Sequence, residues 1–221
     1  MASRFYLSST RAAEVTPGFA GWTRTTEGER RRMSPTKDTS ASTSTTFWAG
    51  GAAAADETAL ARQFISDGMA AGIAFSTADT IKCQVLCKEA QTNDNINRQP
   101  ITVKVYDSTG TTLQATLLAL SAIGPNTTEW LNTGPRNKTV ANSDALTTNY
   151  TTVEGDRLVI ELGGHMPTIA ARTVACPPAH CGNVLINVAG GSADATEQGD
   201  KSSRIAGRHG ASHLFSIGTI F

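Results

Sequence analysis

Charge is scarce in this sequence. Only 17% of its 221 residues are Asp, Glu, Lys or Arg, and 19 basic residues balance 19 acidic ones. Zero net charge gives no global electrostatic reason to expect a nucleic-acid partner. Long apolar runs are missing as well. No stretch approaches the roughly 18 residues of a membrane helix, so no membrane partner is expected. Residues 1–15 hold no apolar run of the kind a secretory signal carries, which leads to an expectation of synthesis in the cytosol. The nucleophile elbow, the phosphate-binding loop and the dinucleotide fingerprint are all absent. Four histidines always permit some Ser/His/Asp grouping, but nothing in the sequence prefers one. The expectation is a non-enzyme with no cofactor and no metal.

Threonine fills the gap, with 31 residues, beside 20 glycines. Its branched Cβ is stiff and its hydroxyl competes for backbone groups, so it favours strands and turns over helix interiors. From about residue 58 onward, strand-like segments follow in quick succession. Ile81, Cys83, Val85 and Cys87 alternate with Lys82, Gln84, Leu86 and Lys88, which gives one apolar and one mostly polar face. Ile101–Tyr106 repeats the pattern, and the turn signal Asp107-Ser-Thr-Gly110 leads into Thr111–Leu120, so 101–120 reads as a hairpin. A second hairpin is expected from Thr147–Val153 and Asp156–Leu162 through Glu154-Gly155. About nine short strands with Gly/Asn/Asp turns predict an all-β, two-sheet antiparallel sandwich of jelly-roll type over 47–221. A long loop with one short strand is expected at about 124–149, and a second long loop at about 189–212.

Residues 1–46 read differently. Isolated apolar residues are separated by Pro17, Gly18, Gly21 and a Ser/Thr run, with no sustained period. Such a segment buries little of its own surface. Yet Phe5, Tyr6, Leu7, Phe19, Trp22 and Met33 are spaced like anchors. The segment therefore reads as an extended arm laid along a partner that supplies the missing core. Glu29-Arg30-Arg31-Arg32 is the one strong charge run, and it divides evenly between a solvated stretch and an electrostatic contact with an acidic partner.

The four cysteines form two pairs, Cys83/Cys87 and Cys176/Cys181, the second enclosing Pro177, Pro178, Ala179 and His180. On a strand, Cys83 and Cys87 stand roughly 13 Å apart, beyond the ~7 Å limit of a disulfide and too far for one metal ion. Both read as core residues. For Cys176 and Cys181 three readings stay open: buried thiols, a disulfide (across their own loop, or from one of them to Cys83 or Cys87 across the core), or a metal. His209 and His213 have helical metal-site spacing, but Gly210 and the absence of a neighbouring Glu argue against one. Asp156 reads as a turn cap, and Arg157 as a stem packed along the sheet. The three Asn-X-Thr sequons at Asn126, Asn137 and Asn149 are expected by chance in so Thr-rich a chain.

Two stretches carry a family likeness. One is Arg4-Phe-Tyr-Leu-Ser-Ser-Thr10, continuing to Pro17-Gly-Phe-Ala-Gly-Trp22 and Arg30-Arg-Arg32; the other is Thr152-Val-Glu-Gly-Asp-Arg-Leu-Val-Ile-Glu161. Together they resemble a group of tailed-phage virion structural proteins, in which an aromatic and arginine-bearing arm precedes a jelly-roll-like domain. Ser8 stands where that pattern has Pro, and the cysteine pairs lie outside it. The resemblance implies a component of the virion, made in the host cytoplasm. The resemblance does not decide between capsid and tail. Low charge, high Thr and a small sandwich suit a lattice clip, so the first reading is a capsid cement or decoration protein, a homo-oligomer whose arm (Phe5, Tyr6, Leu7, Phe19, Trp22, Arg30, Arg31, Arg32) contacts other virion proteins, above all the major capsid protein. The alternative is a tail or tail-fibre component whose β-sandwich binds carbohydrate, with Trp130 as the expected sugar contact.

Overall fold

The computed structural model of this chain describes residues 3–25, 28–35, 45–47, 57–89, 101–120, 136–166, 174–176 and 183–187. Among them the period-2 alternation becomes strand after strand, with no helix. The strands are β1 (Ser3–Ala12), β2 (Glu29–Ser34), β3 (Thr45–Phe47), β4 (Glu57–Gly68), β5 (Ala74–Phe75), β6 (Thr80–Glu89) and β7 (Ile101–Tyr106). They continue with β8 (Leu113–Leu118), β9 (Arg136–Ala145), β10 (Tyr150–Thr151), β11 (Arg157–Met166), β12 (Val174–Cys176) and β13 (Asn183–Asn187).

One large sheet runs in the order β3-β12-β6-β13-β1-β2-β4-β11-β7-β8, with β9 on β6; β10 and β5 form a separate pair. Among the named strands the antiparallel expectation meets one exception, because β2 runs parallel to β4, with Glu29 opposite Arg62 and Arg32 opposite Ile65; the isolated bridge between Arg24 and Ala59 is parallel as well. β1 and β2 already pair antiparallel to each other. A parallel pair such as β2 and β4 cannot be joined by a tight hairpin.

The expected hairpin at 101–120 forms, as β7 and β8 paired antiparallel. Asp107 caps its turn by accepting from the Thr111 N–H at 2.9 Å and the Thr109 hydroxyl at 3.0 Å. Gly110 there has φ 73°, which only glycine adopts without strain. The second expected hairpin does not form. β11 is taken on one edge by β4 and on the other by β7, so Tyr150 pairs with Phe75 instead. Within the expected loop at 124–149, residues 136–145 are β9, paired along β6. Residues 124–135 and 189–212 lie outside the described residues.

The core explains the shape. Phe5, Leu7, Met33, Phe64, Ile81, Cys83, Val103, Leu117 and Ile160 belong to one buried apolar cluster. From β6 to β8 the sheet path takes seven steps, roughly 34 Å if flat at about 4.8 Å per step. Ile81 and Cys83 nonetheless share a core with Leu117 and Leu118. The sheet must therefore curl on itself. The chain at 146–147 fastens the curl, with the Leu146 N–H on the Asp79 carbonyl at 2.9 Å and the Thr147 N–H on the Leu117 carbonyl at 2.7 Å.

The first 46 residues differ most from expectation. Residues 3–12 and 29–34 enter the middle of the sheet, with β1 on β13 and β2 on β4. Phe5, Leu7 and Met33 find their core within the same chain. A segment that cannot bury its own surface still folds when distant strands supply the missing faces.

Candidate functional site

Strand alternation builds a second, smaller buried layer on the back of the sheet. On β11, Leu158, Ile160 and Leu162 face the main core; on β7, Ile101, Val103 and Val105 do the same. The residues between them, Val159, Glu161, Lys104 and Tyr106, therefore point to the opposite face. Alternation alone would leave these side chains in water. Residues 13–25 cover them as a strap. Ala13 and Val15 pack on Ile65, Tyr106 and Val159. The Gly18 carbonyl accepts from the Tyr106 hydroxyl at 3.1 Å, and the Ala20 carbonyl accepts from Lys104 Nζ at 2.8 Å. Near the strap's end, the Thr23 and Arg24 N–H groups bond the Thr58 carbonyl at 3.1 and 3.0 Å.

Under the strap sits an ionic cluster. Glu161 is fully buried, as is Gln63, and Lys104 is 4% exposed. Glu161 Oε2 accepts from Lys104 Nζ at 2.7 Å and from Trp22 Nε1 at 2.8 Å. Glu161 Oε1 accepts from Gln63 Nε2 at 2.8 Å. A carboxylate and an ammonium taken out of water cost several kcal/mol each, and only close, fully bonded partners offset that. The cluster thereby joins three adjacent strands (β4, β11 and β7) to the strap through Trp22. The sequence singles out Trp22 but not Gln63, Lys104 or Glu161, because a polar residue alternating with Val, Leu or Ile reads as solvent-facing. The available signal was local: Lys104 lies between Val103 and Val105, and Glu161 between Ile160 and Leu162, each a charge with apolar neighbours on both sides.

The arginine run is spent inside the molecule. Arg30 donates from Nε and Nη2 to the Pro17 carbonyl at 3.1 and 2.8 Å, and its guanidinium lies 3.9 Å from the centre of the Phe19 ring. Burial pulls its pKa down, partly countered by the negative charge of Glu161. Arg31 pairs with Glu29 at 2.9 Å, and Arg32 pairs with Asp67 at 2.6 Å and Glu14 at 3.1 Å. The hydrogen bond to Asp67 raises the Arg32 pKa. Burial raises the Tyr106 phenol, with Glu161 adding to the shift and Arg30 opposing it.

Of the other singled-out residues, Phe5, Leu7 and Trp22 are buried, while Tyr6 and Phe19 are half-buried. Cys83 is a free, fully buried thiol whose pKa is pushed up by desolvation. Cys87 and Cys176 lie on β6 and β12; Cys181 and Trp130 lie outside the described residues. Asp156 caps its turn as expected, accepting from the Val153 N–H at 2.8 Å and the Tyr150 hydroxyl at 2.7 Å. Burial, then that bond to Asp156, pushes the Tyr150 phenol up to about 12. Arg157 bonds the Ser108 carbonyl at 3.1 Å and Glu14 at 3.1 Å. Comparison of the chain with protein-family models and with curated proteins finds no match.

Proposed function

We propose that this chain is a non-enzymatic structural protein of a tailed-phage particle, a capsid cement or decoration protein seated on the major capsid protein. In this reading the curled sheet is a two-layer sandwich of jelly-roll type, and the protein works as a symmetric oligomer. The likeness of Arg4–Thr10, Pro17–Trp22 and Thr152–Glu161 to virion proteins supports it. One structural observation carries it further: the N-terminal segment is stitched into mid-sheet and locked from outside by the strap, with Trp22 tied to Glu161 at 2.8 Å. Trp22, Arg30, Arg32 and Arg157 are all committed to holding that stitch. A fastened fold of this kind suits a part that bears load more than one that must open to act.

The outer side of the strap is then the surface offered to a neighbouring subunit. Thr16, Gly18, Ala20 and Gly21 are exposed along it, and small residues permit close approach of another backbone. Quantitative mass spectrometry of gradient-purified particles tests the reading. The chain should co-purify at a fixed ratio to the major capsid protein. Recovery only from the soluble lysate would end the proposal, and a ratio matching tail proteins would move the protein from capsid to tail.

A further inference from the structure

The cluster under the strap contains the reactants of an amide-forming reaction. Lys104 carries a primary amine, Gln63 a primary carboxamide, and Glu161 touches both, at 2.7 Å from Nζ and 2.8 Å from Nε2. All three are shut away from water under the strap. They stand on one face of neighbouring strands, β7 and β4 flanking β11. That places the two outer backbones about 10 Å apart, with Gln63 opposite Glu161 and Lys104 opposite Val159, and each side chain reaches one oxygen of the carboxylate between them.

We propose that Lys104 and Gln63 join in an intramolecular amide cross-link, with Glu161 as the proton carrier. The Lys104 ammonium passes a proton to Glu161 across their hydrogen bond, leaving a neutral amine beside a neutral acid. The amine nitrogen attacks Cδ of Gln63 and a C–N bond forms. The Cδ–Nε2 bond breaks as Glu161 returns its proton to the departing nitrogen, and ammonia leaves. It takes up the second amine proton as ammonium. No oxidant, reductant or cofactor enters the balance. Glu161 is placed for both transfers because one oxygen faces the nucleophile and the other faces the leaving group, as general acid–base catalysis requires. Exclusion of water disfavours the competing hydrolysis of the amide.

One further detail belongs to the same centre. Gln63 Oε1 is buried without a hydrogen-bond partner among the described residues. A buried acceptor left unbonded costs about 1–3 kcal/mol. The carboxamide is held by its nitrogen, which donates to Glu161 Oε1 at 2.8 Å and to the Gly18 carbonyl at 3.4 Å, while its carbonyl oxygen meets no donor among the described residues.

Intact-mass spectrometry of the purified full chain reads the outcome directly, because the link removes one ammonia, about 17 Da. The wild-type chain should run at the lighter mass, and digestion should give one branched peptide joining Lys104 to Gln63. Lys104→Arg keeps a cation for Glu161 but offers no comparable nucleophile. It should show the full mass, as should Glu161→Gln. Full mass in the wild-type chain, held after prolonged warm incubation, would overturn the proposal. So would a lighter mass that persists in Glu161→Gln or Lys104→Arg, since it would mark ammonia loss elsewhere in the chain. The result does not depend on the virion reading: particle association and the mass change are measured separately.

Discussion

Glu161 concentrates more consequence than any other side chain here. Removing one partner of a buried pair leaves the other charge without compensation, at about 3–5 kcal/mol. Glu161→Ala should therefore lower the thermal midpoint by roughly 10 °C in a chain this long, read by calorimetry. A shift of a degree or two would show that Lys104 and Trp22 find other partners. Asp107 behaves in the opposite way, because it is exposed and its hydrogen bonds are local. Some desolvation raises its pKa, but bonds from Thr112, Thr109 and Thr111 outweigh it and hold the group at about 2. A carboxyl depressed in the folded state contributes stability above its unfolded pKa and loses it as the pH falls. Denaturation midpoints of the wild-type chain should thus decline between about pH 4 and pH 2, and Asp107→Asn should flatten that part of the curve. Parallel curves for the two proteins would show that the turn does not feel this charge.

At the scale of elements, the strap and β11 meet at Gly163. A Cβ there would run into the Ala59 carbonyl oxygen and the Trp22 ring. Neither gives way easily, since Ala59 is fully buried backbone of β4 and Trp22 is tethered by its indole N–H to Glu161. Gly163→Ala should cost about 3 kcal/mol as overpacking, with a blue-to-red shift in Trp22 fluorescence as the ring is displaced. Full stability would mean the strap lies farther from the sheet than the structure places it. The hairpin at 101–120, the strand at 81–89 and the Asp156 cap were legible in the sequence because each rests on local chemistry: alternation, a turn signal or a capping carboxylate. The back-face layer was not legible. Whether Lys104 and Glu161 meet water depends on where residues 13–25 run, and that segment carries no period of its own. The partner strands of β10 and β2 were hidden for a related reason, since pairing is decided by which edges remain open once other strands have docked.

The whole molecule depends on its N-terminal segment in a way an appended arm would not. Deleting residues 2–35 removes two central strands, strips the cover from Glu161, Lys104 and Tyr106, and opens the core at Phe5, Leu7 and Met33. The truncated chain should be insoluble or bind hydrophobic dyes, as exposed core and unpaired edges dictate. A soluble, cooperatively melting product would show that 57–187 is a domain by itself and would return the segment to the role of an arm. The placement of β1 has a further consequence, for synthesis. Ser3 pairs with Ile186 and Tyr6 with Asn183, so a strand made among the first must wait for one made some 180 residues later. At roughly 5–20 residues per second that wait lasts on the order of 10–40 s. Throughout it, Phe5 and Leu7 have no final place to go. Slowing the ribosome within the second half of the message should therefore lower the soluble yield even though no amino acid changes, and a chaperone that holds the nascent N-terminus should restore it.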